Sequence, residues 1–251
     1  MTSSRRRALS AAALLLSVGV GASAWAQQKV PFANGVPVAP TGLADQPLGA
    51  GPFNYRTAEQ QDIRVTVLTR DIDYPYSLAF LPTGELLITT RTGQLRIMRD
   101  GKLDPNPITG GPASHWGGKS GGLFAVHGYM SLVVHPRFAE NHWIYFSYTK
   151  PLDESSTTVC VARARLDKNA LSDVRDIFVG DKLHGAVSLA MTPDGMLWLA
   201  TGGDSAQDPK TLVGKVLRLK DDGSVPSDNP FVARKATVPR STHSATAARW
   251  G

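Results

Sequence analysis

The sequence predicts an all-β fold of the β-propeller type, and three observations carry that expectation. A strand, a Pro-containing turn and a second strand recur three times. The first copy is Ser77-Leu78-Ala79-Phe80-Leu81-Pro82-Thr83-Gly84 before Glu85 to Thr90. The second is Ser131-Leu132-Val133-Val134-His135-Pro136-Arg137-Phe138 before Trp143 to Tyr148. The third is Ser188-Leu189-Ala190-Met191-Thr192-Pro193-Asp194-Gly195 before Met196 to Thr201. The three serines lie 54 and 57 residues apart, close to the ~50-residue period of a propeller blade. From Ile63 onward, apolar residues come in short runs separated by turn residues, the pattern of many short strands. A blade is a four-stranded sheet that buries its faces against its neighbours; three unrelated hairpins in a sandwich are the alternative.

Residues 1–26 read as a secretory signal. Arg5-Arg6-Arg7 is a positive n-region, Ala8 to Val20 is apolar, and Ala24-Trp25-Ala26 is an A-x-A cleavage site that predicts a mature start at Gln27. The apolar stretch is short for a span of ~20 residues, so no stable membrane span is expected. A periplasmic or secreted location follows, by either the Sec or the twin-arginine route. Residues 27–61 are rich in Pro, Gly and Ala without a sustained period and read as an irregular leader. Residues 62–231 are the expected partial propeller, with blades around Ile63–Met98, Ser131–Leu166 and Ser188–Leu219 and parts of a fourth. At ~50 residues per blade, the 170 residues from 62 to 231 make three to four blades. Within the second, Cys160, Ala162, Ala164 and Leu166 alternate with Arg163 and Arg165, the period-2 pattern of a half-buried strand.

Residues 232–251 carry Arg234, Lys235, Arg240 and Arg249 with no acid and no strand alternation, and read as a non-native or disordered tail. The overall charge of +6 comprises +3 from Arg5, Arg6 and Arg7 and +4 from this tail, leaving −1 for residues 27–231. A near-neutral body has no electrostatic footprint for nucleic acid. Cys160 is the one cysteine, which excludes an intramolecular disulfide and a CxxC site, and its strand context makes it a small buried hydrophobe. No EF-hand, HExxH, P-loop or GxGxxG motif is present.

The segment richest in chemistry begins at His184-Gly185-Ala186. It continues through the hairpin Ser188 to Thr201 to Gly202-Gly203-Asp204 and Ala206-Gln207, then Gly214-Lys215-Val216-Leu217-Arg218-Leu219 and Asp222 to Phe231. A β-unit in this order can bring an imidazole, a carboxylate and an amide to one end. Histidine suits a general base near neutral pH. A carboxylate can orient such a base and stabilise its charged form. A blade-edge histidine that only hydrogen-bonds, and an Asp204 that only opens an Asx turn, are the competing readings. Paired glycines at 202 and 203 would allow a sharp turn and close approach to a ring.

The order of these pieces resembles the soluble, pyrroloquinoline quinone (PQQ)-dependent aldose sugar dehydrogenases, the glucose/sorbosone dehydrogenase family. The resemblance covers about residues 64–231 and is strongest from Gly214 to Phe231. It implies a six-bladed propeller, of which three to four blades are expected here. The implied activity is oxidation of the anomeric hydroxyl of an aldose to a lactone, with PQQ and calcium as cofactors and an external electron acceptor. It places His184 as the base, Asp204 as its catalytic carboxylate, and Gln207 and His127 as substrate- or cofactor-binding groups; the metal ligands are not assigned. Where the family carries Phe-Gly-x-Arg after the histidine, this chain has Gly185-Ala186-Val187-Ser188, and an extra glycine precedes Asp204. His127-Gly128 and Gly121-Gly122 lie where the family has a Gln-Gly-Gly-Leu-x-Asp stretch, with Ser131 at the Asp position. The resemblance implies a scaffold turn for His135-Pro136-Arg137-Phe138; His115-Trp116-Gly117-Gly118 reads as a loop that covers a ligand or simply packs, and His142 as exposed.

After Asn-Pro-Phe the family continues with a Gly-His-Arg-Asn-Pro-x-Gly loop. One deleted base after the Pro239 codon would convert such a loop into the observed string from Arg240 to Gly251, so a truncated product is expected. A non-catalytic propeller that binds a ligand, and a calcium-dependent lactonase-type propeller, are the alternative functions.

Overall fold

In a computed structural model, the structure describes residues 32–33, 36–37, 51–56, 62–117, 127–180, 185–232 and 241–244. Two compact units divide at Gly51. In the first, the described residues form a two-stranded antiparallel pair, β1 (Phe32–Ala33) and β2 (Val36–Pro37).

The second unit is built from three four-stranded antiparallel sheets, the blades of a propeller. The first contains β5 (Pro75–Phe80), β6 (Leu86–Thr90), β7 (Leu95–Arg99) and β8 (Lys102–Leu103). The second contains β9 (Tyr129–Val134), β10 (Trp143–Pro151), β11 (Thr157–Asp167) and β12 (Ala170–Val179). The third contains β13 (Val187–Met191), β14 (Leu197–Thr201), β15 (Lys215–Leu219) and β16 (Ser241–Ser244). Each sheet pairs its strands in chain order, so each is a meander from an inner strand outward. The one described helix is a single turn, α1 (Phe138–Asn141), and no described helix is long and apolar enough to cross a membrane.

Two expectations need correction. Ile63 is not part of the first blade: it lies in β4 (Asp62–Val65), paired with β3 (Phe53–Arg56) in a separate two-stranded sheet. The leader is therefore not irregular throughout; Tyr55, Ile63 and Val65 alternate poorly and stay exposed, which hid the pairing from the pattern. Ser241–Ser244, where no strand was expected, pairs antiparallel with β15 (Val216 opposite His243). A sheet edge offers unpaired backbone groups, and a polar segment can satisfy them without the apolar alternation that a sequence search relies on.

Two cores glue the blades. Leu87, Leu95 and Ile97 of the first sheet pack on Leu132, Ile144, Phe146, Cys160, Ala162 and Ala164 of the second. The other face of the second sheet (Tyr145, Val159, Val161, Phe178) packs on Val187, Leu197, Leu199, Leu217 and Leu219 of the third. The middle sheet is thus buried on both sides, and Cys160 sits inside it with its thiol pushed up to about 11 by desolvation. Arg99 adds a polar clamp, reaching Glu85, Asp104 and, across the blade gap, Asn169.

The recurrent serines have a job that period analysis does not disclose. The backbone N–H of Leu132 donates to Ser77 Oγ at 3.2 Å, and that of Leu189 donates to Ser131 Oγ at 2.9 Å. A second hydroxyl returns the contact: Thr89 Oγ1 donates to the Met130 carbonyl at 2.6 Å and Ser147 Oγ to the Val187 carbonyl at 2.7 Å. Each pair of neighbouring blades is latched by a serine on the inner strand and a hydroxyl on the next strand, satisfying backbone groups that a gap between sheets would strand.

Candidate functional site

The direction of the inner strands decides where the loops gather. Gly128, just before β9, lies against the carbonyl of Arg91, just after β6; a Cβ at Gly128 would sit 1.9 Å from that oxygen. Gly195, which follows β13, faces the His135 ring, which follows β9. The three inner strands therefore start at the same end. At that end open the segments entering β5, β9 and β13 and the loops linking β6 to β7 and β14 to β15.

Five side chains from the first two blades meet there. Trp116 packs on Tyr74, ring centroids 5.1 Å apart, with the Arg91 guanidinium 5.5 Å from its ring centre. His115 and His127 meet edge to face at 5.0 Å. The loop between them is pinned at its base: His115 N–H donates to the Thr149 carbonyl, Gly128 N–H to the His115 carbonyl and Thr149 N–H to the Gly128 carbonyl. Gly117 leaves room for the His127 ring, which a Cβ would approach to 2.5 Å. Burial first, then the neighbouring His115 and Arg91, holds the His127 imidazolium below its usual range, so the ring is neutral at pH 7 and His127 can accept or donate one hydrogen bond. Its Nδ1 is buried without a hydrogen-bond partner, a cost of ~1–3 kcal/mol that a ligand group could remove.

The third blade contributes the loop 202–214. Thr201 Oγ1 receives the Lys215 N–H at 2.8 Å and donates to the Leu212 carbonyl at 2.5 Å. Lys215 is 2% exposed, and its Nζ donates to the carbonyls of Ser205 (3.0 Å) and Val213 (2.9 Å). An ammonium inside the fold, its pKa lowered by desolvation, thereby fastens both limbs of the loop that carries Asp204 and Gln207. Both of those side chains are exposed. The Asx turn in this loop belongs to Asp208, whose Oδ1 receives the Lys210 N–H, and not to Asp204. The Gly202–Gly203 pair does make a sharp turn, with Gly203 at φ 122° against Val213.

His184 lies outside the described residues, as do Gly121 and Gly122; the flanking Gly180 and Gly185 are at the loop end described above. His135 and His142 are scaffold. His135 Nδ1 bonds the Arg137 N–H and Asn141 Nδ2. His142 is not exposed as expected: it caps α1 in left-handed backbone, stacks on Phe138 and bonds the Leu166 carbonyl. Ser131 is a blade latch, which accounts for a serine there. Arg91 and Tyr74 were not picked out from sequence, since neither belongs to a short motif; Lys215 and Thr201 lie within the segment singled out for its motif order but carried no role there, and the latch serines were visible as a repeat but not as a function.

A planar, anionic cofactor fits this end in part: the Trp116 ring face, the Arg91 cation and the bare His127 Nδ1 suit it. Among the described residues no group of three His, Cys, Asp or Glu is placed to hold a metal ion. A shallow cavity elsewhere, lined by Pro112, Tyr148, Lys150 and Asp176, has its carboxylate already bonded to Tyr148 and Lys150.

Comparisons with known proteins agree with this architecture. Residues 72–244 match the model of the family described as glucose/sorbosone dehydrogenase. The chain is 34% identical over 182 residues to aldose sugar dehydrogenase YliI of Escherichia coli K12, covering 68% of this chain and 47% of that protein. A solved glucose dehydrogenase superposes with a TM-score of 0.61 at 32% identity, covering 69% of this chain and 52% of the other. The PQQ-bound aldose sugar dehydrogenase of Streptomyces coelicolor superposes with a TM-score of 0.52 at 25% identity, covering 66% and 49%. The chain spans about half the length of these relatives. With three latched blades and a family model matched over most of its length, the chain belongs to the glucose/sorbosone dehydrogenase family.

Proposed function

We propose that this chain is part of a periplasmic sugar dehydrogenase that oxidises the anomeric hydroxyl of an aldose, with PQQ as hydride acceptor. One observation supports the reading above the others: the entry to β9, the entry to β13 at Gly185 and the 202–214 loop all open at one end of the blades, the end that carries His127, Asp204 and Gln207 and that His184 adjoins in sequence. When bound, PQQ supplies the hydride acceptor, so the sugar loses hydride from C1 and a proton from its anomeric oxygen and leaves as a lactone. His184 takes that proton as general base. Asp204 stabilises the imidazolium that forms, and Gln207 hydrogen-bonds sugar or cofactor. Neutral His127, beside Arg91 and Trp116, binds the cofactor's polar edge. Lys215 holds the Asp204 loop in place. Calcium is implied by the family resemblance alone. The truncated-product reading of residues 232–251 belongs to the same proposal and is settled by sequencing the gene across the Pro239 codon.

The deciding experiment adds PQQ and calcium to the full chain and to a frame-restored version, with aldoses and an artificial dye as acceptor. Dye reduction by the restored chain, lost ~10²–10⁴-fold in His184→Ala with PQQ binding retained, is the expected result. No reduction by either chain overturns the dehydrogenase reading and favours a propeller that only binds.

A further inference from the structure

The residue that enters each inner strand has left-handed backbone in all three blades. Three residues before the repeat serines Ser77, Ser131 and Ser188 stand Tyr74 at φ 48°, Gly128 at φ 83° and Gly185 at φ 93°. The backbone does the same work in the first two: the Arg91 N–H donates to the Tyr74 carbonyl at 2.9 Å, and the Thr149 N–H to the Gly128 carbonyl at 3.0 Å. Glycine adopts this conformation freely, so the fold asks for no side chain at the position. In the first blade a bulky residue is held there against steric cost, and it precedes Pro75, which steers its neighbour toward extended backbone. The register of β5 on β6 also slips between Pro75 and Ser77, the kind of irregularity that re-aims a side chain. Strain of this sort persists where the surroundings hold it and gathers at functional sites. What the ring reaches is Trp116, at 5.1 Å between centroids, and Trp116 in turn lies under the Arg91 guanidinium. Arg91 thus grips both partners, Tyr74 by its backbone and Trp116 by its side chain.

We infer that Tyr74 is a positioning residue. Its ring, carried on left-handed backbone, fixes the Trp116 indole beside Arg91 and His127 and so raises affinity for a planar, anionic cofactor at that end of the blades. The inference rests on the cofactor reading of this end given above. Tyr74 acts through Trp116, which is why a residue that the backbone would accept as glycine is a tyrosine.

Fluorine NMR of the full chain labelled with fluorotryptophan tests the positioning without any enzyme assay, the Trp116 resonance being identified by its loss in Trp116→Phe. Tyr74→Gly, which gives the first blade the residue of the other two, should shift that resonance, and Tyr74→Phe should leave it in place. Equilibrium dialysis against PQQ with calcium supplies the second reading. Tyr74→Gly should weaken binding ~2–12-fold, the worth of one aromatic contact, and Tyr74→Phe should restore it. In a Trp116→Leu background Tyr74→Gly should have no further effect. A Trp116 resonance that Tyr74→Gly leaves unmoved, an affinity that it leaves unchanged, or an equal loss of affinity in the Trp116→Leu background overturns the inference. A wild-type chain that takes up no PQQ, with the Trp116 resonance behaving as expected, overturns the proposed function while the positioning of Trp116 by Tyr74 stands.

Discussion

The middle blade and the first blade share a repeat, a latch and a strand order, yet a phenylalanine on each has the opposite fate. Phe146 on β10 is fully buried between two sheets, whereas Phe80 on β5 is 71% exposed. Both are phenylalanines in apolar strands. What differs is the neighbour: among the described residues, the middle blade packs against a sheet on each side and the first blade against a sheet on one side. In a stack of blades, burial is a property of the interface rather than of the strand.

That contrast is broken or sharpened by substitution. Phe146→Ala should cost ~3–5 kcal/mol in urea unfolding, while Phe80→Ala should stay within ~0.5 kcal/mol. Equal costs would mean that the first blade is covered after all. The glycines give the next contrast. Gly128→Ala combines left-handed backbone with a clash on the Arg91 carbonyl, at about 2–4 kcal/mol. Gly84→Ala, with φ 93° and open space, should show only the backbone share of ~1–2 kcal/mol.

The pH dependence separates the same regions more gently. His127 and His135 both have lowered pKa values, chiefly from burial. The unfolded chain therefore binds protons that the folded chain does not, and stability falls as pH drops from the ordinary histidine range of ~6.5 toward the folded values. His127→Asn should flatten part of that slope in unfolding midpoints taken between pH 5 and 7; an unchanged slope would assign it to His135 alone. The smallest effect concerns Cys160. Buried in the middle blade with its thiol pushed up to about 11, it should react with a thiol reagent only at the rate of global opening. Faster reaction would show that the two-sided blade opens locally.

Much of this arrangement was legible in residues. The Ser-Leu-x-x-x-Pro repeat located three inner strands and their turns, and the alternation around Cys160 marked a strand facing a core. The register of β13 on β14, Ser188 opposite Ala200, follows from a turn whose Pro193-Asp194-Gly195 chemistry is local. The order His184, hairpin, Asp204, Gln207 pointed to one end of one blade because a β-meander returns every second loop to the same side. His142 misled because its φ of 58° and its stack on Phe138 depend on a helix of one turn that carries no periodic signal.

The sequence by itself determined what local chemistry determines: strand periodicity, turn positions, blade spacing and the family whose motif order it shares. Only the tertiary structure decided which faces are covered, which hydroxyls latch which blade, and that Arg91, Trp116, His115 and His127 meet while Lys215 pins the Asp204 loop from inside. Those outcomes rest on contacts between residues tens of positions apart, such as Ser77 with Leu132 and Arg99 with Asn169. Their partners are set by how sheets stack around an axis, and no window along the chain contains that geometry.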